Sequence, residues 1–266
     1  MNLLFAIDTG FAELFCRCAK SILKNGGEDA YTAYILHSDL EQNVQAAIQA
    51  FVGERMRCNF ISVNPDLFDG FPETSRYPVQ IYYRLAAPLL LPEELDRILY
   101  LDVDTVIINP LRELYDIDFE GAYYIACTHT QRALSLFNQT RLGVDEDVPY
   151  VNTGVMVLNL PALRENLRME DIREFANAKK KVFILPDQDI LTGLYGSKVK
   201  LADTMRYNLS DRILGFYNAD PRNEKKIDVD WVRQNAVVIH YCGKNKPWKG
   251  NYLGILDVFY KECNPR

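Results

Sequence analysis

Hydrophobic positions along this chain come in short blocks that switch between two periods. Leu3 to Ile7 is a continuous apolar run that stops at Asp8-Thr9-Gly10, the pattern of a buried strand. Phe11 to Asn25 has helical spacing and ends at Gly26-Gly27. Tyr31 to Leu36 and Phe60 to Val63 read as further strands, with a helix over Glu41 to Phe51 between them. Pro65 to Pro78 is rich in loop formers, Val79 to Leu91 reads as a helix, and Ile98 to Leu101 as a fourth strand. This alternation predicts a parallel, doubly wound sheet. Beyond it the pattern loosens. Strands are expected at Tyr123 to Cys127, Val155 to Asn159 and Val237 to Tyr241, and helices at Arg164 to Ala178, Ile190 to Tyr195 and Tyr252 to Cys263. No repeat or linker divides the chain. One α/β domain over residues 1–266 is expected, with a regular half, 1–104, and a less regular half, 105–266.

Composition narrows the partners. A hydrophobic share of 48% suits a globular core, and a formal charge of −6 argues against nucleic acid. No apolar run approaches a membrane span, so no transmembrane segment is expected, although peripheral membrane contact stays open. The opening M-N-L-L-F-A-I-D reads as a first strand rather than a leader. The six cysteines are irregularly spaced and read as reduced thiols, which points to a cytoplasmic protein.

The chemistry concentrates where the fourth strand ends, in R-I-L-Y-L-D-V-D-T-V-I-I-N. Residues two apart in a strand share a side, so Asp102 and Asp104 would point together out of an apolar setting. Buried like charges repel, and a divalent cation removes that penalty. The plainer alternative is a strand ending in a polar turn. Ligands of open α/β sheets lie beyond the carboxyl ends of the strands, so Asp8 could face the same crevice or simply cap the next helix. Asn152-Thr153-Gly154 either reads a hydroxylated ligand or is a turn into a strand. Asp187-Gln188-Asp189 suits sugar hydroxyls, or Asp187 is an N-cap after Pro186. In His240-x-x-Gly243-x-x-Lys246-Pro247-Trp248, the glycine and lysine describe a phosphate site, and His240 could be the third cation ligand. Arg84 is either a solvated helical arginine or a group that orients Asp102 or meets a phosphate.

Taken together, Phe5-Ala6-Ile7-Asp8, Tyr83-Arg84, Asp102-Val103-Asp104, Asn152-Thr153-Gly154, Asp187-Gln188-Asp189 and the His240 to Trp248 segment resemble the family-8 glycosyltransferases. That group includes bacterial lipopolysaccharide galactosyl- and glucosyltransferases, general stress protein A and glycogenin. The resemblance runs from Leu3 to about Tyr252. It implies the GT-A fold, a single Rossmann-like α/β/α domain with a mixed central sheet. It also implies retaining transfer of galactose or glucose from UDP-galactose or UDP-glucose to a saccharide or other hydroxyl acceptor, with Mn²⁺ or Mg²⁺ in its place.

By that resemblance, Asp102, Asp104 and His240 hold the metal, and Ala6 and Asp8 lie on the uracil and ribose side. Gly243 and Lys246 meet the diphosphate, on a C-terminal loop that closes over the donor. Asn152, Gly154, Asp187 and Gln188 surround the donor sugar, with Arg84, Val103 and Thr153 in the same donor set. Gln188 is a poor nucleophile because an amide oxygen is weakly basic, and Asp189 is the better one if it reaches the sugar. Same-face attack with Gln188 as a dipolar stabiliser is the favoured expectation. One departure stands out. Many relatives have Asp-x-Asn-Tyr in the first loop, whereas this chain has Asp8-Thr9-Gly10-Phe11, and Gly10 offers no side chain. For the acceptor, residues 68–78, 128–144 and 206–220 are the candidate segments. Two rivals remain: a haloacid-dehalogenase-like phosphatase using Asp102 as nucleophile, and a non-catalytic nucleotide-sugar-binding protein.

Overall fold

A computed structural model describes residues 1–74, 77–129 and 132–263. Its strands are β1 (Asn2–Ala6), β2 (Tyr31–His37), β3 (Met56–Ser62), β4 (Arg97–Leu101), β5 (Thr105–Ile107), β6 (Tyr124–Cys127), β7 (Asn152–Asn159), β8 (Val199–Leu201) and β9 (Val238–His240). Seven of them form one sheet in the order β3-β2-β1-β4-β7-β6-β8. The first four run parallel, β7 is antiparallel to both its neighbours, and β8 is parallel to β6. The sheet is therefore mixed through the reversal of one strand, β7. β5 and β9 form a separate two-stranded ladder.

Both faces of the large sheet are covered, which is why its central strands read as unbroken apolar runs. Leu3, Phe5, Leu99, Leu101, Val155 and Val157 pack on one side with Phe15 and Ile22 of helix Ala12–Asn25. Leu4, Ile98, Tyr100, Met156 and Leu158 pack on the other with Tyr83 and Leu85 of helix Tyr83–Leu90 and Ile190 of helix Pro186–Tyr195. A third core, around Leu209, Leu214, Ile239, Tyr241 and Phe259, lies under the last part of the chain. Among the described residues, no helix is long and apolar enough to cross a membrane.

Several elements differ from the periodicity reading. β3 begins at Met56, and the helix expected over Arg164 to Ala178 is two helices, Leu160–Asn166 and Met169–Lys179. Asn159 caps the first of these through Ala162 N, and the backbone is extended at Leu167 and Arg168. The terminal helix is Asp257–Cys263 rather than one from Tyr252. Before it the chain is tied down by side chains: Tyr252 donates to Asp211, and Asn245 Oδ1 accepts from Leu253 N at 3.1 Å. β5, β8 and helices Arg132–Leu142, Asp211–Ala219 and Val229–Asn235 are further elements that the pattern did not disclose.

Candidate active site

Asp102 and Asp104 sit on the turn between β4 and β5, not within one strand. Two interactions shape that turn: Thr105 Oγ1 donates to the Asp102 carbonyl at 2.7 Å, and Asp102 N donates to the Gly154 carbonyl at 2.7 Å. β9 then pairs antiparallel with β5, placing His240 opposite Thr105. Ligand atoms of Asp102, Asp104 and His240 all lie within 4.8 Å of one another. His240 Nε2 stands 3.0 Å from Asp104 Oδ1 and 3.7 Å from Asp102 Oδ2. The two aspartates thus converge through a turn rather than through the strand period.

This trio borders a cleft of about 360 Å³ beyond the carboxyl ends of β1 and β4. Ala6, Asp8, Arg84, Val103, Asn152, Thr153, Asp187, Gln188, Gly243 and Lys246 line the same cleft. Asp8 keeps both of its anticipated roles, since it also caps a short turn by accepting from Phe11 N at 3.1 Å. A side chain at position 10 would press on Asp8 Oδ1, 3.1 Å from the added carbon, so Gly10 fits this loop. Of the three candidate acceptor segments, only the first reaches the cleft among the described residues, through Tyr77 and Pro78. Residues 75, 76, 130 and 131 of these segments lie outside the described residues.

Arg84 is not a solvated helical arginine. It is buried, its guanidinium lies 4.5 Å from the Tyr100 ring centre, and it is 3.0 Å from Asp102 Oδ1 and 3.4 Å from Asp187 Oδ2. It also donates to the Thr153 carbonyl at 3.0 Å. Tyr100 OH adds a 2.7 Å hydrogen bond to Asp102 Oδ1. Burial alone would lower the Arg84 pKa, but Asp102, Tyr100 and Asp187 outweigh it and hold the group charged. Burial pushes the Asp187 carboxyl upward, against the opposing pull of Arg84 and a 2.6 Å hydrogen bond from Thr153. Asp104 goes the other way: burial would raise it, but His240 and Lys246 hold it well below the carboxylate range.

Three expectations are corrected. Asp187 is not the N-cap of helix Pro186–Tyr195; the cap position is Leu185, and Asp187 turns its carboxylate to Thr153 and Arg84. Asp189 does not reach the cleft. It is fully buried, and its two oxygens accept from Arg141, Tyr150 OH, Ile184 N and Leu185 N. Those donors engage both of its oxygens. Gly154 does not line the cleft but backs it: a Cβ there would stand 2.3 Å from His240 Cε1 and 2.6 Å from Asp102 Oδ2. Lys246 rests on the site itself, donating to Asp104 Oδ2 and, at 2.7 Å, to the Tyr241 carbonyl.

The trio fits a divalent cation. Asp104 Oδ1 is buried without a well-formed hydrogen bond, Gly154 is the residue that lets the histidine and carboxylate approach, and two carboxylates with one imidazole suit a first-row metal. Sequence reasoning missed Tyr100 and Asn208. Tyr100 carries a signal in retrospect, near the end of β4 and two residues before Asp102, whose carboxylate its hydroxyl reaches. Asn208, fully buried beside Asn152 and His240, carries none.

A doubly wound layer with an acidic pair on the turn after its central strand, joined by a histidine at the same edge of a cleft, matches the GT-A glycosyltransferase fold. The chain superposes on galactosyltransferase LgtC, solved in complex with donor and acceptor sugar analogs, with a TM-score of 0.84 and 25% identity, covering 99% of this chain and 95% of that one. It is 25% identical to a lipopolysaccharide 1,2-glucosyltransferase of Escherichia coli over 93% of this chain and 73% of the relative. It is 24% identical to general stress protein A of Bacillus subtilis over 72% of this chain and 67% of the relative. The sequence model of Glycosyl transferase family 8 matches residues 2–251, and the chain belongs to that family. This membership does not favour the phosphatase reading of Asp102, whose Oδ1 is already engaged by Tyr100 and Arg84.

Proposed function

We propose that this chain transfers a hexose, galactose or glucose, from its UDP derivative to a hydroxyl of a saccharide acceptor, with retention at the anomeric carbon. The observation that carries the reading is the convergence of Asp102, Asp104 and His240 at one edge of a cleft that Asp187 and Gln188 also line. Asp102, Asp104 and His240 would hold a divalent cation, Mn²⁺ or Mg²⁺, which when bound supplies charge neutralisation to a diphosphate leaving group.

The chain's own residues do the rest. Lys246, placed on Asp104 in this structure, is within the same cleft and exchanges that partner for a phosphate oxygen as negative charge grows on the leaving group. Arg84 fixes the carboxylates of Asp102 and Asp187 at once. Asp187 uses Oδ2 for Thr153 and Arg84 and offers the rest of its carboxylate to sugar hydroxyls. Gln188 faces the cleft from the same turn of helix and stabilises the positive anomeric centre by its amide dipole. With Asp189 held by four donors and away from the cleft, the acceptor attacks on the face that the diphosphate leaves.

The test is calorimetric. UDP should bind in the presence of Mn²⁺ and lose that metal-dependent affinity in Asp104→Ala, while UDP-galactose or UDP-glucose should turn over slowly even without acceptor. NMR of the product sugar reads the anomer. UDP binding that ignores Mn²⁺ in the wild-type protein would refute the reading.

A further inference from the structure

Asn208 has no place in the cleft, yet it is 0% exposed and both ends of its side chain are engaged. Its backbone is fixed as well. Asn208 N donates to the Thr204 carbonyl at 3.1 Å, and its carbonyl accepts from His129 Nε2 at 2.7 Å. The next residue bridges to β9: Leu209 N donates to the Val238 carbonyl, and His240 N to the Leu209 carbonyl.

The side-chain contacts form a chain whose direction a backbone amide settles. Gly154 N can only donate, so the Asn152 atom that it meets at 3.1 Å is the carbonyl oxygen. That same oxygen lies 2.9 Å from Asn208, which therefore presents its NH₂ there. Asn208 then turns its own carbonyl oxygen to His240 Nδ1, 2.9 Å away. A carboxamide oxygen accepts and cannot donate, so Nδ1 carries the proton. In the neutral ring, Nε2 on the other side then keeps its lone pair toward Asp102 and Asp104. Left to itself, Asp104 would favour the opposite tautomer, with the proton on Nε2 and no lone pair to give.

We infer that Asn208 is a positioning residue that sets the tautomer of His240 through the relay Gly154–Asn152–Asn208–His240, so that Nε2 is a ligand rather than a donor. The inference rests on the reading of Asp102, Asp104 and His240 as cation ligands. It also gives Asn152 a structural reason beyond its place in the cleft wall.

The three histidines of the chain make the test self-calibrating. His37 Nδ1 accepts from Leu40 N, and His129 Nε2 donates to the Asn208 carbonyl, so both rings carry their proton on Nε2. Long-range ¹⁵N–¹H NMR of the wild-type protein loaded with Mg²⁺, and of the metal-free protein at alkaline pH, should show one ring of the three protonated on Nδ1. Asn208→Leu should move that ring to the Nε2 form in the metal-free protein and weaken Mn²⁺ binding by on the order of 10- to 100-fold. Asn208→Asp keeps an acceptor on Nδ1 and should retain the Nδ1 proton and the cation affinity, at lower thermal stability from the lost donor to Asn152. Three Nε2-protonated rings in the wild type would overturn the inference even if no variant folds. An unchanged tautomer and Mn²⁺ affinity in Asn208→Leu would overturn it too. A wild-type protein with the Nδ1 proton in place that binds neither Mn²⁺ nor Mg²⁺ would instead overturn the cation reading of the trio.

Discussion

Replacing Arg84 by methionine keeps a long, unbranched side chain and removes the charge that Asp102 and Asp187 share. The guanidinium sits 3.0 Å from one carboxylate and 3.4 Å from the other, and it donates to the carbonyls of Thr153 and Ile81, each at 3.0 Å. Both the arginine and Asp187 are buried. Removing one partner of a buried pair leaves the other charge without compensation and typically costs about 3–5 kcal/mol. For a chain of this size each kcal/mol moves the melting temperature by about 2–4 °C, so Arg84→Met should melt on the order of 10 °C lower. The deficit should depend on pH with a fixed sign. Burial already raises the Asp187 pKa, and losing Arg84 raises it further. A carboxyl whose folded pKa exceeds its unfolded value binds protons more readily in the folded state, so the variant gains on the wild type as pH falls through that folded pKa. Urea unfolding of both metal-free proteins from about pH 7.5 to about pH 5 should show the gap shrinking by at least ~1 kcal/mol. Adding Asp187→Asn to Arg84→Met should recover part of the loss at neutral pH. A deficit below about 1 kcal/mol, typical of an exposed pair, or one that stays constant with pH would refute the argument.

Gly154→Ala places a methyl group where His240 Cε1 and Asp102 Oδ2 leave no room, so Mn²⁺ affinity by calorimetry should fall sharply; undiminished affinity would show that the wall behind the site yields. His129 should make the protein acid-sensitive. Burial, then the nearby His240, lowers its pKa from 6.5 to about 4, so the folded state binds fewer protons than the unfolded chain between those values. Stability is thus full above about pH 6.5 and falls by about 3 kcal/mol as pH drops to about 4, and His129→Gln should flatten that slope in chemical denaturation. An identical slope in the variant would show that other groups carry it.

Much of the fold and site was legible because β1 and β4 are buried between the two faces of the sheet and announce themselves as apolar runs ended by acids. Asp8, Asp102 and Asp104 stand where those runs stop, and that is where an open α/β sheet binds ligands. The later elements were harder for physical reasons. Helix Arg132–Leu142 buries Asn138, Gln139 and Leu142 while exposing Leu134, Leu136 and Phe137, so its pattern is inverted with respect to burial. β5 and β8 are three residues long, too short for a period to show. Asp187 and Asp189 are two residues apart, yet one faces the cleft and the other is sealed in by Arg141 and Tyr150, both distant in sequence. Asn208 acts through the orientation of an amide, which depends on a backbone amide at Gly154 and leaves no trace in spacing.

The short ladder between β5 and β9 orders events during synthesis. Asp102 and Asp104 leave the ribosome well before His240, and at about 5–20 residues per second the interval is roughly 7 to 27 seconds. Throughout it the acidic turn has no imidazole opposite Thr105 and no Lys246 against Asp104. A nascent or truncated chain that stops short of β9 can build the parallel part of the sheet but lacks the third member of the trio. A cation held by the proposed trio would therefore report that β9 has docked against β5. Capture of such a cation would double as a test that β9 has reached its place beside the acidic turn.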